Sequence, residues 1–177
     1  MTFTTELAFE ILRDIQFATE SHMANPCTPD DMVRFWDKRT PYTIHPIWCA
    51  MTILTETTLD EELRLNGYKA LLWHDILEDT TVSTLPPDTP ATVVKFVQEM
   101  TFDSFSEELE KIWSKDNEIR LLKLYDKTSN LLDSVWMDDK KLAKYSEFTL
   151  KLANDTESNF GTLNIVKIAK SIALVNI

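Results

Sequence analysis

Only two glycines occur in 177 residues, and this scarcity limits what the chain can build. Tight hairpins and sheet corners need residues that adopt positive φ without strain, usually glycine. No segment alternates apolar and polar residues convincingly over six positions. Apolar residues instead recur at spacings of three and four almost throughout, the period of amphipathic helices. The expected class is all-α, a single compact helical bundle over residues 1–177. With 44% apolar residues the chain can fill a core and is not a disordered polymer.

A first helix is expected from about Thr5 to His22, with Leu7, Ala8, Ile11, Leu12, Ile15 and Ala18 on one stripe. Asn25 and Pro26 stop it. Thr28-Pro29-Asp30-Asp31 reads as a helix start with a capping hydroxyl and two acids near the positive end, so a short helix through Trp36 follows. Asp37 to Thr43 is a polar loop. Further helices are expected over about His45–Glu56, Asp60–Leu65, Tyr68–Asp79, Thr89–Met100, part of Phe102–Asn117, Glu118–Val135, Asp138–Asn154 and Thr162–Val175. Gly67 marks either a break or a close contact.

Eighteen Lys and Arg oppose 29 Asp and Glu, a net charge of −11. That balance, without a basic stripe, argues against a nucleic-acid polymer as partner. No apolar run reaches the ~18 residues of a membrane span. The acidic start MTFTTELAFE does not read as a signal peptide. Cys27 and Cys49 are too few for a disulfide framework and suit a reducing, cytoplasmic compartment. Oligomeric state is not legible, although pairing of such domains is common.

The three histidines are His22, His45 and His74. His74-Asp75-Ile76-Leu77-Glu78-Asp79-Thr80 places ionisable groups at the end of an apolar run. On a continuous helix His74 and Glu78 share a face, as do Asp75 and Asp79. Buried carboxylates require a cation, whereas an exposed helix end would account for the same segment without one. Asp126 and Asn130 lie four apart on another apolar helix, also reached by Lys123; a half-exposed amphipathic helix would explain them equally. His45 stands before Pro46, where a capping role is ordinary. Taken together, His45, His74, Asp75 and Asp126 supply two imidazoles and two carboxylates, a set suited to a divalent transition metal. His22 is expected near the site rim or as a capping group.

These segments resemble the HD-domain metal-dependent phosphohydrolases, whose metal is held by one His, an adjacent His-Asp and a distant Asp. Pro41-Tyr42-Thr43-Ile44-His45-Pro46 resembles the PYxxHP segment of the branch that hydrolyses the alarmone (p)ppGpp. Ala70 to Thr80 resembles its ALLHDxxEDT, and Lys123 to Leu131 its KLADRxxNL. The segments follow in the family's order between Thr40 and Leu132. The resemblance implies an HD-type bundle and a nucleotide substrate. It implies one divalent ion, Mn first with Co, Zn or Fe as alternatives, on His45, His74, Asp75 and Asp126. Glu78 and Asp79 would position or deprotonate water, with Glu78 preferred as base. Lys123 and Lys127 would face phosphates, Asn130 the sugar, and Lys38 and Arg39 the phosphates or base. The region Asn25–Arg39 differs from the family's basic, glycine-containing stretch, and Arg34 competes with Lys38 and Arg39 for that contact. Two other readings are a deoxynucleotide phosphohydrolase, with Trp36 or Trp48 stacking on the base, and a non-catalytic helical module that binds a nucleotide or protein.

Overall fold

The computed structural model describes residues 4–175. Its helices are α1 (Thr5–Ala24), α2 (Ile44–Leu54), α3 (Glu61–Trp73), α4 (Ile76–Asp79), α5 (Ala91–Met100), α6 (Phe105–Lys111), α7 (Asn117–Leu132), α8 (Asp139–Phe160) and α9 (Asn164–Val175). Single 3₁₀ turns form at Pro29–Met32 and Ile112–Ser114. Among the described residues no strand forms; isolated bridges pair Pro26 with Thr80 and Val33 with Pro41. The all-α expectation holds.

Helix starts follow local chemistry. The side chains of Thr4, Asp60, Ser104 and Asp138 accept hydrogen bonds from backbone N–H groups in the first turns of α1, α3, α6 and α8, each contact stabilising a helix by about 1 kcal/mol. The start of α9 is capped from a distance. The buried Glu56 carboxylate accepts from the N–H groups of Asn164 and Ile165 at 3.0 and 2.8 Å.

The centre of the bundle is α7, which packs against α2, α3, α5, α8 and α9. Every residue from Leu121 to Ser129 is buried, so the helix is enclosed on all sides, and its polar residues must find partners inside. Gly67 lets α3 approach α2 and α7. A Cβ there would lie 2.7 Å from Ile53 Cδ1 and 3.1 Å from Leu122 Cδ2.

Two expected elements are corrected. The expected helices Asp60–Leu65 and Tyr68–Asp79 are divided elsewhere: α3 runs unbroken through Gly67, and the break falls after Trp73. Close packing outweighs the ~1 kcal/mol helical penalty of glycine. His74 is the C-cap of α3 and Asp75 the N-cap of α4, at φ −93° and ψ −5° on the edge of the right-handed helical region, and the Asp75 carbonyl starts α4 by accepting from the N–H groups of Glu78 and Asp79. His74 and Asp75 therefore occupy a turn rather than a helical face. The second correction concerns Thr28–Trp36, where only the turn Pro29–Met32 is helical. Beyond it the Arg34 N–H bonds Thr40 O at 2.8 Å, and the Asp37 carboxylate accepts from the backbone of Arg39 and Thr40. This loop satisfies the backbone groups that a longer helix would have used. Lys38 takes its left-handed position at φ 55°.

Candidate metal centre

Three elements bring the site together. Helix α2 supplies His45 from its first turn, the break between α3 and α4 supplies His74 and Asp75, and the buried middle of α7 supplies Asp126. His45 Nε2 and His74 Nε2 lie 3.3 Å apart. Asp126 Oδ1 is 3.6 Å from the first and 3.9 Å from the second. His45, His74 and Asp126 each offer one ligand atom, all within 4.8 Å of one another. Asp75 touches both rings, with Oδ2 3.4 Å from His45 Nε2 and Oδ1 3.1 Å from His74 Nε2.

The outer nitrogens decide what the inner ones can do. His74 Nδ1 lies 2.7 Å from Leu71 O. A carbonyl can only accept, so Nδ1 carries a proton, and Nε2 faces inward, where it offers a lone pair once its own proton is displaced. His45 Nδ1 meets Ser129 Oγ at 2.8 Å, which holds the ring with Nε2 facing His74. Such outer contacts are the usual means of presenting imidazole to a metal.

The electrostatics point the same way. Burial favours the neutral form of His74, but Asp75 and Asp126 outweigh it and push the ring up to about 10. Burial also opposes ionisation of Asp75 and Asp126, yet both carboxyls are held well below the usual range, by the histidines around Asp75 and by Lys123, Lys127 and His74 around Asp126. The two carboxylates demand positive charge where the imidazoles converge. A proton on His74 meets that demand in part, and a divalent ion meets it with more charge and four suitable donors.

A cavity of about 290 Å³ opens beside these ligands, lined by Glu78, Asp79, Glu108, Lys123, Lys127 and Asn130 among others. Glu78 Oε1 accepts from Phe102 N–H at 3.1 Å. Burial, reinforced by Asp75, pushes both Glu78 and Asp79 up to about 7. Lys123 and Lys127 approach Asp126 Oδ2 at 2.9 and 3.2 Å. Asn130 donates to Asp126 Oδ1 at 2.6 Å.

Of the three candidate cations before His45, Arg34 is the one drawn inside. It is 5% exposed, bonds Asp133 Oδ2 through Nε at 2.6 Å and Asn130 Oδ1 through Nη2 at 3.0 Å, and lies over the Tyr42 ring. Lys38 and Arg39 are exposed on the neighbouring loop, with Lys38 3.6 Å from Asp30. Tyr42 O–H donates to Asp75 Oδ2 at 2.5 Å. His22, 1% exposed, packs its ring against Tyr42 at 4.7 Å. The expectation of a rim or capping residue is replaced by a buried one. Tyr42, Ser129 and Glu108 were not singled out by sequence reasoning. Tyr42 stood inside the PYxxHP segment, while Ser129 and Glu108 carry no local signal. Trp36 and Trp48 line a separate hollow of about 220 Å³ with Arg34, His45 and Asp133.

No family profile matches the chain, and no curated protein matches it by sequence. Among solved structures, it is similar to one described as a metazoan ortholog of SpoT that hydrolyzes ppGpp and plays a role in starvation responses. That protein is 20% identical, and the alignment covers 97% of this chain and 96% of the other with a TM-score of 0.72. The likeness extends over the whole bundle and shows a shared all-α fold. No helix among the described residues is long and apolar enough to cross a membrane.

Proposed function

We propose that the chain is an HD-type, metal-dependent nucleotide phosphohydrolase over residues 1–177, acting on a (p)ppGpp-like nucleotide by transfer of its pyrophosphoryl group to water, which releases pyrophosphate and leaves the sugar hydroxyl. The observation that carries this reading is the convergence of His45, His74, Asp75 and Asp126 from three elements beside a cavity that holds both carboxylates and lysines. The fold shared with a ppGpp hydrolase supports the choice of substrate. His45, His74, Asp75 and Asp126 would hold one divalent ion, Mn first. When bound, such an ion lowers the pKa of water from 15.7 toward ~7 and polarises a phosphoryl oxygen.

The rest of the chemistry falls to side chains of the chain. Glu78 is the first choice to accept the proton of the attacking water, with Asp79 beside it to orient that water. Lys123 and Lys127 offset charge on the phosphate oxygens. Asn130 holds Asp126 in register and presents the nucleotide side of the site together with Arg34. Lys38 and Arg39 remain candidates for outer phosphate contacts. Two unpaired cysteines, Cys27 and Cys49, suit a reducing compartment such as the cytoplasm.

The test is a nucleotide panel with Mn²⁺, products resolved by chromatography. Pyrophosphate release from ppGpp is expected, and His74→Ala or Asp126→Ala should lower turnover by at least ~10³-fold with the helical circular dichroism retained. Full activity in either variant would remove the metal-centre reading. The two indoles of Trp36 and Trp48 beside His45 favour a second reading, a deoxynucleotide phosphohydrolase. Triphosphate or orthophosphate release from deoxynucleotides, without ppGpp turnover, would select it. Absence of both metal uptake and turnover would leave a non-catalytic binding module.

A further inference from the structure

We propose that Glu108 is an internal competitor for the phosphate position of this cavity, so that its carboxylate limits how much anionic charge the site accepts. The inference rests on reading the cavity as a phosphate site and names what sets its selectivity. Glu108 projects from α6, is 4% exposed, and lines the cavity together with Asp126 and Glu78. Its Oε2 lies 2.6 Å from Lys127 Nζ and its Oε1 3.9 Å from Lys123 Nζ. These are the two cations that would receive a phosphate. Oε1 is buried with no hydrogen-bond partner among the described residues.

A residue serving only as a structural ion pair would be expected to satisfy both oxygens, since an unsatisfied buried acceptor is costly. Here one oxygen is held and the other is turned toward a second ammonium beyond bonding distance. Lys123 and Lys127 do not depend on Glu108 alone. Each has Asp126 Oδ2 nearby, and each lies near an aromatic ring, Phe102 at 5.4 Å and Phe105 at 5.7 Å. A carboxylate and a phosphate offer an ammonium the same kind of charged acceptor, so Glu108 takes one of the three donors of Lys127 and sets its own negative charge beside any phosphate drawn to these lysines.

The charges of the lining support this. Asp75, Glu78, Asp79, Glu108 and Asp126 oppose Lys123, Lys127 and Lys141, and a divalent ion would bring that set near balance. A phosphate entering then meets Glu108 at close range in a poorly solvated space, where like charges repel strongly. Removing that one charge should tighten anion binding, and the gain should grow with each further charge on the ligand.

The test is calorimetric titration of inorganic phosphate and pyrophosphate into the full chain, both chelator-treated and supplied with Mn²⁺. Glu108→Gln, which keeps the shape and removes the charge, should bind phosphate at least ~10-fold tighter than the unmodified chain, with a larger ratio for pyrophosphate. Glu108→Leu should move in the same direction, since Lys127 keeps Asp126 in both. Equal or weaker binding in a variant with an unchanged circular dichroism spectrum would overturn the proposal. So would loss of the helical spectrum in both variants, which would make Glu108 a structural pair. If the chain takes up no Mn²⁺ and hydrolyses no nucleotide, the hydrolase reading fails while the chelator-treated ratio still reports on Glu108. If the enzyme is active and the ratio is one, Glu108 alone is removed.

Discussion

His22 and Glu78 show at the scale of single residues how burial sets proton affinity in this bundle. Burial of His22 lowers its ring to about 4 from an ordinary 6.5, the nearby His74 and His45 adding to the effect and Asp75 opposing it. The unfolded chain therefore binds a proton that the folded chain refuses between those values. Stability is full above pH 6.5 and is lost as pH falls toward 4. His22→Leu should flatten that acid loss in denaturant melts recorded across the same range; an unchanged pH profile would mean that His22 does not titrate on unfolding. Glu78 and Asp79 move the other way, up to about 7. A base must be ionised to work, and a bound cation favours ionised carboxylates, so the acid limb of turnover should lie no higher than about 7. Glu78→Gln should cost ~10²–10⁴ in kcat, and a limb centred well above neutrality in the unmodified enzyme would exclude this pair as its source. His45, His74, Asp75 and Asp126 could be read from the chain as a candidate set because imidazoles and acids stood beside apolar runs. Ser129 and Asp133 could not, because their roles arise only from contacts 84 and 99 residues away, with His45 and Arg34.

At the scale of elements, the helical period located most of the bundle but misplaced one boundary. Gly67 drew attention as a break, and periodicity does not report that a missing side chain lets α3 approach Ile53 and Leu122. Gly67→Ala gains about 1 kcal/mol of helix propensity but forces a methyl into a filled contact, a change that costs about 1–3 kcal/mol. A net loss near 1 kcal/mol should lower Tm by roughly 2–4 °C. A higher melting temperature would show that the α2–α3–α7 crossing has room to spare. The Thr28–Trp36 stretch failed for a different reason. Its N-terminal signals were correct, with Thr28 and Asp31 closing a capping box, but capping only starts a helix. Arg34 then committed its backbone to Thr40 and its side chain to Asp133, contacts that lie outside any local window.

For the whole molecule, the proposed metal centre would couple to the folding of the bundle, because its candidate ligands come from α2, the α3–α4 turn and α7. An ion that binds the folded chain alone stabilises it by RT ln(1 + [L]/Kd), about 2.7 kcal/mol at one hundred times Kd. Mn²⁺ should therefore raise Tm in the unmodified chain, a chelator should reverse the rise, and Asp126→Ala should abolish it. Equal shifts in the unmodified chain and the variant would place the ion elsewhere. The all-α class could be anticipated because the helical period recurs along the whole chain. The neutralising arrangement inside the cavity could not, because charge balance is a property of the assembled interior.

The interruption after Trp73 carries a practical consequence. Residues 74 and 75 hold two of the four proposed donors at the joint between α3 and α4. Merging the two helices into one regular rod would turn both of these side chains relative to His45 and Asp126. Engineering of this chain for thermal robustness should hold those two positions fixed before optimising the remainder.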